Sequence, residues 1–560
     1  MQIRDYLLRA AFIFVPVISF SQTTYLPFGG KEAWLLDRME IKLQTNNDFN
    51  LSTVKPYMRS VYVRQAEITD SLLAAGTNTG NLTATDKYNM NRFIANNSEF
   101  AINQKADWKS NKPWSEAFYP TKGNFLEVNT KDFYLSVNPA INQQQSFESG
   151  NNDERLFVNS KGVTARGLIA KKIGFNFFLT DNQERGPKFV QQRIIGVKAV
   201  PGAGFYKSFK NTGVDYFDAR GSVNWNVTKY INMQFGFDKH FIGNGYRSLF
   251  LSDNANSSLF VKFNTRIWKI NYTNLFMELY PPFKKTGGNL LPRKYAAMHH
   301  FSINATKWLN VGLFEAVVFG RKDRFDFSYM LPVIFLRSIE GNNGSPDNAN
   351  IGFDFKANIA KKVQLYGQLL LDEFKLDEVK AGNGWWGNKQ AIQLGAKYVD
   401  ALGISNLDLQ GEMNWIRPFT YSHFDSLAGY NHYNQPMAHP MGANVQELIG
   451  IARYQPLEKL YITAKGIYWK QGLDSLGQNF GNNVLFDNDT RSRDYGYSIG
   501  SGVLTKGLNA SLAASYELKE NLWIDASGMF RTFKTGGTTA NTTLVTLGLR
   551  WNMARRDYDY

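Results

Sequence analysis

The richest run of chemically capable side chains lies between Arg417 and His439, where Arg417, Tyr421, His423, His432, Tyr433 and His439 crowd one stretch. A neutral imidazole is a common metal ligand. Spacings of nine and seven residues between these histidines fit no zinc pattern, however, and Asp425 is the only acid among them. Hydrogen bonding inside a folded loop and contact with a sugar are the other two uses. A second stretch, Gly382-Asn-Gly-Trp-Trp-Gly-Asn-Lys389, sets two indoles beside amides and a cation. Indole faces pack on the apolar C–H face of a sugar ring while polar neighbours take its hydroxyls. Tryptophans at a barrel rim also sit at the membrane interface, so Trp385 and Trp386 carry both meanings.

Catalytic patterns are weak. Asp372-Glu373 and Asp377-Glu378 could flank a glycosidic bond, but as strand neighbours the members of each pair would point to opposite faces. No Gly-x-Ser-x-Gly elbow falls where a strand meets a helix. With no cysteine in 560 residues, thiolate chemistry and disulfides are absent together. The expectation is therefore a binding protein, not an enzyme, without metal or cofactor, whose glycan contacts are Trp385, Trp386, Arg417, Tyr421, His423, His432 and His439.

The elements that must carry these residues follow from hydrophobic period. From about residue 120 onward the period is two. In Leu407-Asp-Leu-Gln-Gly-Glu-Met-Asn-Trp415 the apolar residues and glycine take one face, and Asp408, Gln410, Glu412 and Asn414 take the other. Tight links at 228–229, 306–307, 361–362, 402–403, 456–457 and 519–520 alternate with long loops near 181–215, 281–292, 320–350, 375–388, 417–442 and 471–495. Short turns on one rim and long loops on the other mark a transmembrane β-barrel, with periplasmic turns and extracellular loops. Nineteen alternating segments are visible, but such barrels carry an even number. Setting the weak segment 125–128 outside the wall gives 18 antiparallel strands; an earlier strand near 100–104 would give 20. The inward polar positions suit water, although long aromatic loops could fold in and close the pore.

Residues 1–21 have the charged start, apolar run and small-residue end of a signal peptide. No later stretch reaches spanning-helix length; the longest apolar run, Met330 to Leu336, is broken by Pro332. Residues 22–110 show helical spacing in three places: Ala33 to Leu43, the stretch after Asn50 through Ile68, and the stretch after Thr83, whose Thr83-Ala-Thr-Asp86 spacing fits a capping box. They predict a helical periplasmic segment or partial plug ahead of a barrel over 111–560. The formal charge of +15 at an exported surface favours acidic glycans and lipopolysaccharide phosphates over nucleic acid.

Several stretches carry a resemblance: 35–42, 55–59, Gly243-Asn-Gly-Tyr-Arg-Ser248, Ser345-Pro-Asp-Asn-Ala349, Leu371-Asp-Glu-Phe374, 382–389, Arg417-Pro-Phe-Thr-Tyr-Ser-His423 and 430–444. Through them the chain resembles an outer-membrane family of the Bacteroidota, related to the Wzi-type capsule-assembly barrels, with a gliding-motility RemB-like branch. The resemblance implies a barrel that attaches or helps assemble surface polysaccharide, or one that works in gliding, adhesion or secretion with other envelope proteins. It implies no catalytic motif.

Overall fold

Alternation of apolar and polar residues builds the wall, because each strand must show one face to lipid and the other to the lumen. The computed structural model describes residues 23–76, 81–151, 154–283, 290–333 and 335–560, so the expected signal peptide over 1–21 lies outside the described residues. Among these, eighteen strands close into one antiparallel barrel. They are β1 (Phe133–Glu148), β2 (Leu156–Ile169), β3 (Ile173–Arg185), β4 (Gly213–Asn226), β5 (Ile231–Asp238), β6 (Ser258–Ile267), β7 (Ile270–Leu279), β8 (Lys294–Asn304) and β9 (Leu309–Phe319). The second half is β10 (Asn348–Ile359), β11 (Val363–Glu373), β12 (Lys389–Tyr398), β13 (Leu407–Ile416), β14 (Val445–Leu457), β15 (Leu460–Leu473), β16 (Val503–Lys519), β17 (Leu522–Thr535) and β18 (Thr538–Trp551). Closure comes from Leu544–Trp551 of β18 against Ile141–Glu148 of β1. The short strand Leu126–Asn129 pairs with Tyr134–Val137 of β1, just beyond where β18 stops, so it patches the rim without adding to the wall.

Each strand of the wall pairs with its neighbours in sequence, and the tight links and long loops read from the sequence fall on opposite rims, although β17 and β18 are joined at the long-loop rim by Gly536-Gly537 alone. Ala360 and Lys361 take φ of 52° and 55° between β10 and β11, the pair of left-handed residues that matches a type I′ hairpin to strand twist. Outward aliphatics such as Leu365, Leu394, Leu448, Leu512 and Val545 stay exposed and form the apolar belt. Inward Asp408, Gln410, Glu412 and Asn414 are buried. They face protein. Loop 239–257, which the tight-and-long pattern did not single out, dives into the lumen, and Glu412 accepts the Arg247 N–H at 3.0 Å.

Three helices block the short-turn rim: α1 (Lys31–Leu43), α2 (Arg59–Ala74) and α3 (Ala84–Ala95). Their apolar faces make a core of their own, including Leu36, Met39, Tyr62, Met90 and Phe93. Thr83 caps α3 through the expected box. Helix α2 starts later than the pattern after Asn50 suggests, because Val54-Lys55 instead pairs with Phe241-Ile242 of the lumenal loop. Ion pairs fix the helices to the wall: Lys31 to Glu517 at 2.8 Å, Lys356 to Glu40 at 2.8 Å and Lys397 to Asp37 at 2.8 Å. After β18 the residues 552–560 turn back into the lumen, where Asp559 meets Lys465 at 2.9 Å and Arg556 meets Glu184 at 2.9 Å. A cavity of about 840 Å³ is left between this tail, the helices and the walls of β1–β5 and β14–β18.

Candidate functional site

At the long-loop rim the backbone of loop 374–388 is stitched to loop 474–502. Trp386 N–H donates to Asp494 O at 2.9 Å, Tyr497 N–H to Gly384 O at 2.9 Å and Gly496 N–H to Asn383 O at 2.8 Å. Gly384 has φ of 69°, and a Cβ there would stand 2.8 Å from the Tyr497 backbone, so only glycine allows this approach. The seam presents two half-buried indoles, Trp385 and Trp386, with ring centroids 6.0 Å apart and planes at 55°. Arg491 lies 4.0 Å over the Trp386 ring and Lys389 5.2 Å from it. Lys375 lies 5.6 Å from the Trp385 ring. Tyr497 carries Arg493 at 5.0 Å. Lys389 is buried beneath the Trp386 ring, so the rim patch presents indole and guanidinium groups with the exposed Lys375 ammonium, suited to stacking on a sugar ring and bonding its hydroxyls or a carboxylate.

Arg417 supports this patch from below, donating to Asn388 O at 2.7 Å and Trp385 O at 3.1 Å. Burial lowers its pKa from the ordinary value. The other expected contacts separate from it. Tyr421 is buried and donates to Leu249 O at 2.9 Å, and Tyr430 donates to Phe250 O at 2.7 Å, locking loop 417–444 onto loop 239–257 inside the lumen. His432 accepts Tyr280 N–H at 3.0 Å and reaches Ser257 O at 3.1 Å; burial pushes its pKa down to about 3. His439 bonds Glu447 at 2.8 Å, and Glu447 also holds Arg247 at 3.0 Å. His423 is buried against Phe424 at 4.2 Å and accepts Asp425 N–H at 3.2 Å, with its pKa lowered by burial and by Lys389.

Of the expected set, then, Trp385, Trp386 and Arg417 come together, while Tyr421, His432 and His439 knit the lumenal loops. Loop 474–502 adds Arg491 and Arg493, with the buried Tyr497 beneath them; no motif singled these out, although Arg491-Ser-Arg-Asp-Tyr-Gly-Tyr497 sets two cations just ahead of two aromatics. Asp372 accepts Tyr421 N–H at 2.8 Å and Glu373 pairs with Lys389 at 3.0 Å, so both serve the loops. Asp377 and Glu378 sit on a short helix, Leu376–Ala381, rather than on a strand. Gly496-Tyr-Ser-Ile-Gly500 has elbow spacing but lies in a loop, with Ser498 exposed.

No family model and no curated protein matches the chain. Among solved structures it is similar to Wzi, described as an outer membrane protein involved in group 1 capsule assembly in Escherichia coli and a carbohydrate-binding β-barrel, at TM-score 0.55 and 13% identity over 95% of this chain and 100% of that one. OprD of Pseudomonas aeruginosa aligns at TM-score 0.43 and 12% identity over 74% of this chain and 94% of that one. OccAB4 of Acinetobacter baumannii aligns at 0.41 and 8%, over 75% and 98%. The shared feature with Wzi is the fold: a closed transmembrane barrel of eighteen antiparallel strands with short helices ahead of it.

Proposed function

We propose that the chain is a non-enzymatic outer-membrane barrel that binds surface polysaccharide and helps attach or assemble it outside the cell. The observation that carries this reading is the Trp385–Trp386 rim patch standing above a lumen filled by loops 239–257 and 417–444. A filled lumen favours a surface-binding role over diffusion, since a porin needs a continuous aqueous path. The carbohydrate binding stated of the Wzi barrel agrees with it, and so does the resemblance to the Bacteroidota family. Deleting the gene in its own bacterium and weighing cell-attached against released polysaccharide tests the reading. Release is expected; unchanged attachment with lost small-solute uptake would favour a porin.

A second reading, a gliding, adhesion or secretion component, draws on the opposite rim. There the segment 102–118 carries Trp114 at 76% exposure among exposed lysines, a surface open to another envelope protein.

A further inference from the structure

Loop 320–347 does not lie over the barrel mouth. Along β8 the side chains of Ala296, Met298 and His300 face the lumen, so Tyr295, Ala297 and His299 face outward; along β9 the outward set is Leu313, Glu315, Val317 and Phe319. Elsewhere such outward positions are open to lipid, as at Leu313, Ile351 and Phe353. Tyr295, Val317 and Phe319 are instead buried, because Phe325, Tyr329 and Leu336 of the loop cover them from outside. Phe319 and Tyr329 stand 4.7 Å apart, and Tyr295 and Phe325 5.5 Å.

The loop's backbone turns its polar groups to the wall. Glu315, paired with His299 at 2.9 Å, accepts Phe335 N–H at 2.7 Å and Leu336 N–H at 2.8 Å. Tyr329 donates to Asp347 at 2.6 Å, and Arg321 holds the same carboxylate. With these groups satisfied, the loop shows Phe327 (76% exposed), Met330, Leu331, Val333 and Phe335 (65%) on its far side. Lys322 and Arg324 border this patch, exposed and in no ion pair among the described residues. This is where the apolar run broken by Pro332 goes.

Depth selects the occupant. Glu315 is in register with Ile351, the top of the outward row of β10 in which Ile351, Phe353 and Ile359 are exposed. The eight residue steps from Ile351 to Ile359 of tilted strand span roughly 20 Å, close to the ~25 Å apolar band of such barrels. The loop therefore straddles the upper edge of the band, where acyl chains give way to phosphates, and its apolar patch continues the belt of Leu313 and Phe353.

We propose that loop 320–347 is a lateral lipid-binding flap for the phosphorylated glycolipid of the outer leaflet, lipopolysaccharide, with acyl chains against Phe327, Leu331 and Phe335 and a phosphate at Lys322 and Arg324. Because the chain has no cysteine, Leu331→Cys and Phe335→Cys take single spin labels in the whole barrel. In phosphatidylcholine vesicles containing purified lipopolysaccharide both labels should relax with oxygen and resist a water-soluble nickel chelate, while Leu476→Cys in loop 474–502 meets the chelate freely. Lys322→Glu with Arg324→Glu should weaken lipopolysaccharide binding about tenfold or more, with heat-modifiable migration confirming a folded barrel. Chelate access at both flap sites would overturn the proposal, and so would exclusion of both reagents, which means protein cover. Equal binding of phosphatidylglycerol vesicles would overturn the assignment to the glycolipid.

Discussion

Replacing Arg38 by methionine should loosen the helical plug while leaving the barrel intact. Arg38 is 4% exposed, and its guanidinium touches Asp86 at 2.8 Å, Asp400 at 3.0 Å and Asp408. Lys42 is the second cation of this cluster, bonded to Asp86 and to Asp400 at 2.6 Å. Without Arg38, Lys42 is the cation left to Asp86 and Asp400, and Asp408 keeps only neutral donors, the Trp34 indole N–H and the Asp400 backbone N–H at 3.3 Å. Removing one partner of a buried ion pair costs about 3–5 kcal/mol, because the charge left behind stays desolvated. At ~1.4 kcal/mol per tenfold, the undocked plug becomes roughly two to nearly four powers of ten more populated. Amide hydrogen exchange on whole protein in detergent reads this directly: α1 and α3 should exchange faster by that factor, and β13 to β17 should not. Unchanged exchange in α1 and α3 would show that the ion pairs of Lys31, Lys356 and Lys397 hold the plug alone, and the reasoning would fail.

Acid should release the same contact. Burial raises the Asp86 pKa, but Arg38 and Lys42 outweigh it and hold it at about 2, below the ordinary aspartate value of 3.8. A carboxylate depressed in the folded state stabilises above its unfolded pKa, and that contribution is lost as pH falls from 3.8 through about 2. The amount is about 2 kcal/mol, visible as faster exchange in α3 over that window and absent in Asp86→Asn. Tyr421→Phe removes the bond to Leu249 O, leaves a buried acceptor and should lower barrel stability by about 1–3 kcal/mol, seen in the melting temperature without loss of polysaccharide binding. Deleting residues 552–560 should strip Lys465 of Asp557 and Asp559, cost Arg247 its bond to Asp559 O and enlarge the lumenal cavity, so conductance in planar bilayers should rise above that of the intact chain.

Much of the wall was legible because a strand writes its two faces directly into sequence. Leu407 to Trp415 became β13 almost residue for residue, and the even-number rule correctly left 125–128 out of the wall. Thr83 and Asp86 specified their cap locally, and the cap formed. Loop destinations were not legible. Nothing local tells loop 239–257 to enter the lumen and loop 320–347 to lie on the outer wall; the first goes where Gln368 and Glu412, far along the chain, satisfy its backbone, and the second folds back to where Glu315, on the strand it leaves, does the same. The rim site was half legible for the same reason. Trp385 and Trp386 announced themselves, whereas Arg491 and Tyr497 joined them through backbone bonds between two loops that no periodicity predicts.

The central claim is that the rim indoles meet polysaccharide. Its most direct test is a paired measurement on Trp385→Ala and Trp386→Ala: binding of polysaccharide isolated from the source bacterium to the purified barrel, beside thermal unfolding of the same samples. Loss of one stacked ring removes ~0.5–1.5 kcal/mol beyond buried area, so affinity should fall several-fold, more with repeating units, while the melting temperature holds. Unchanged binding with a lowered melting temperature would contradict the account and return both tryptophans to the membrane belt.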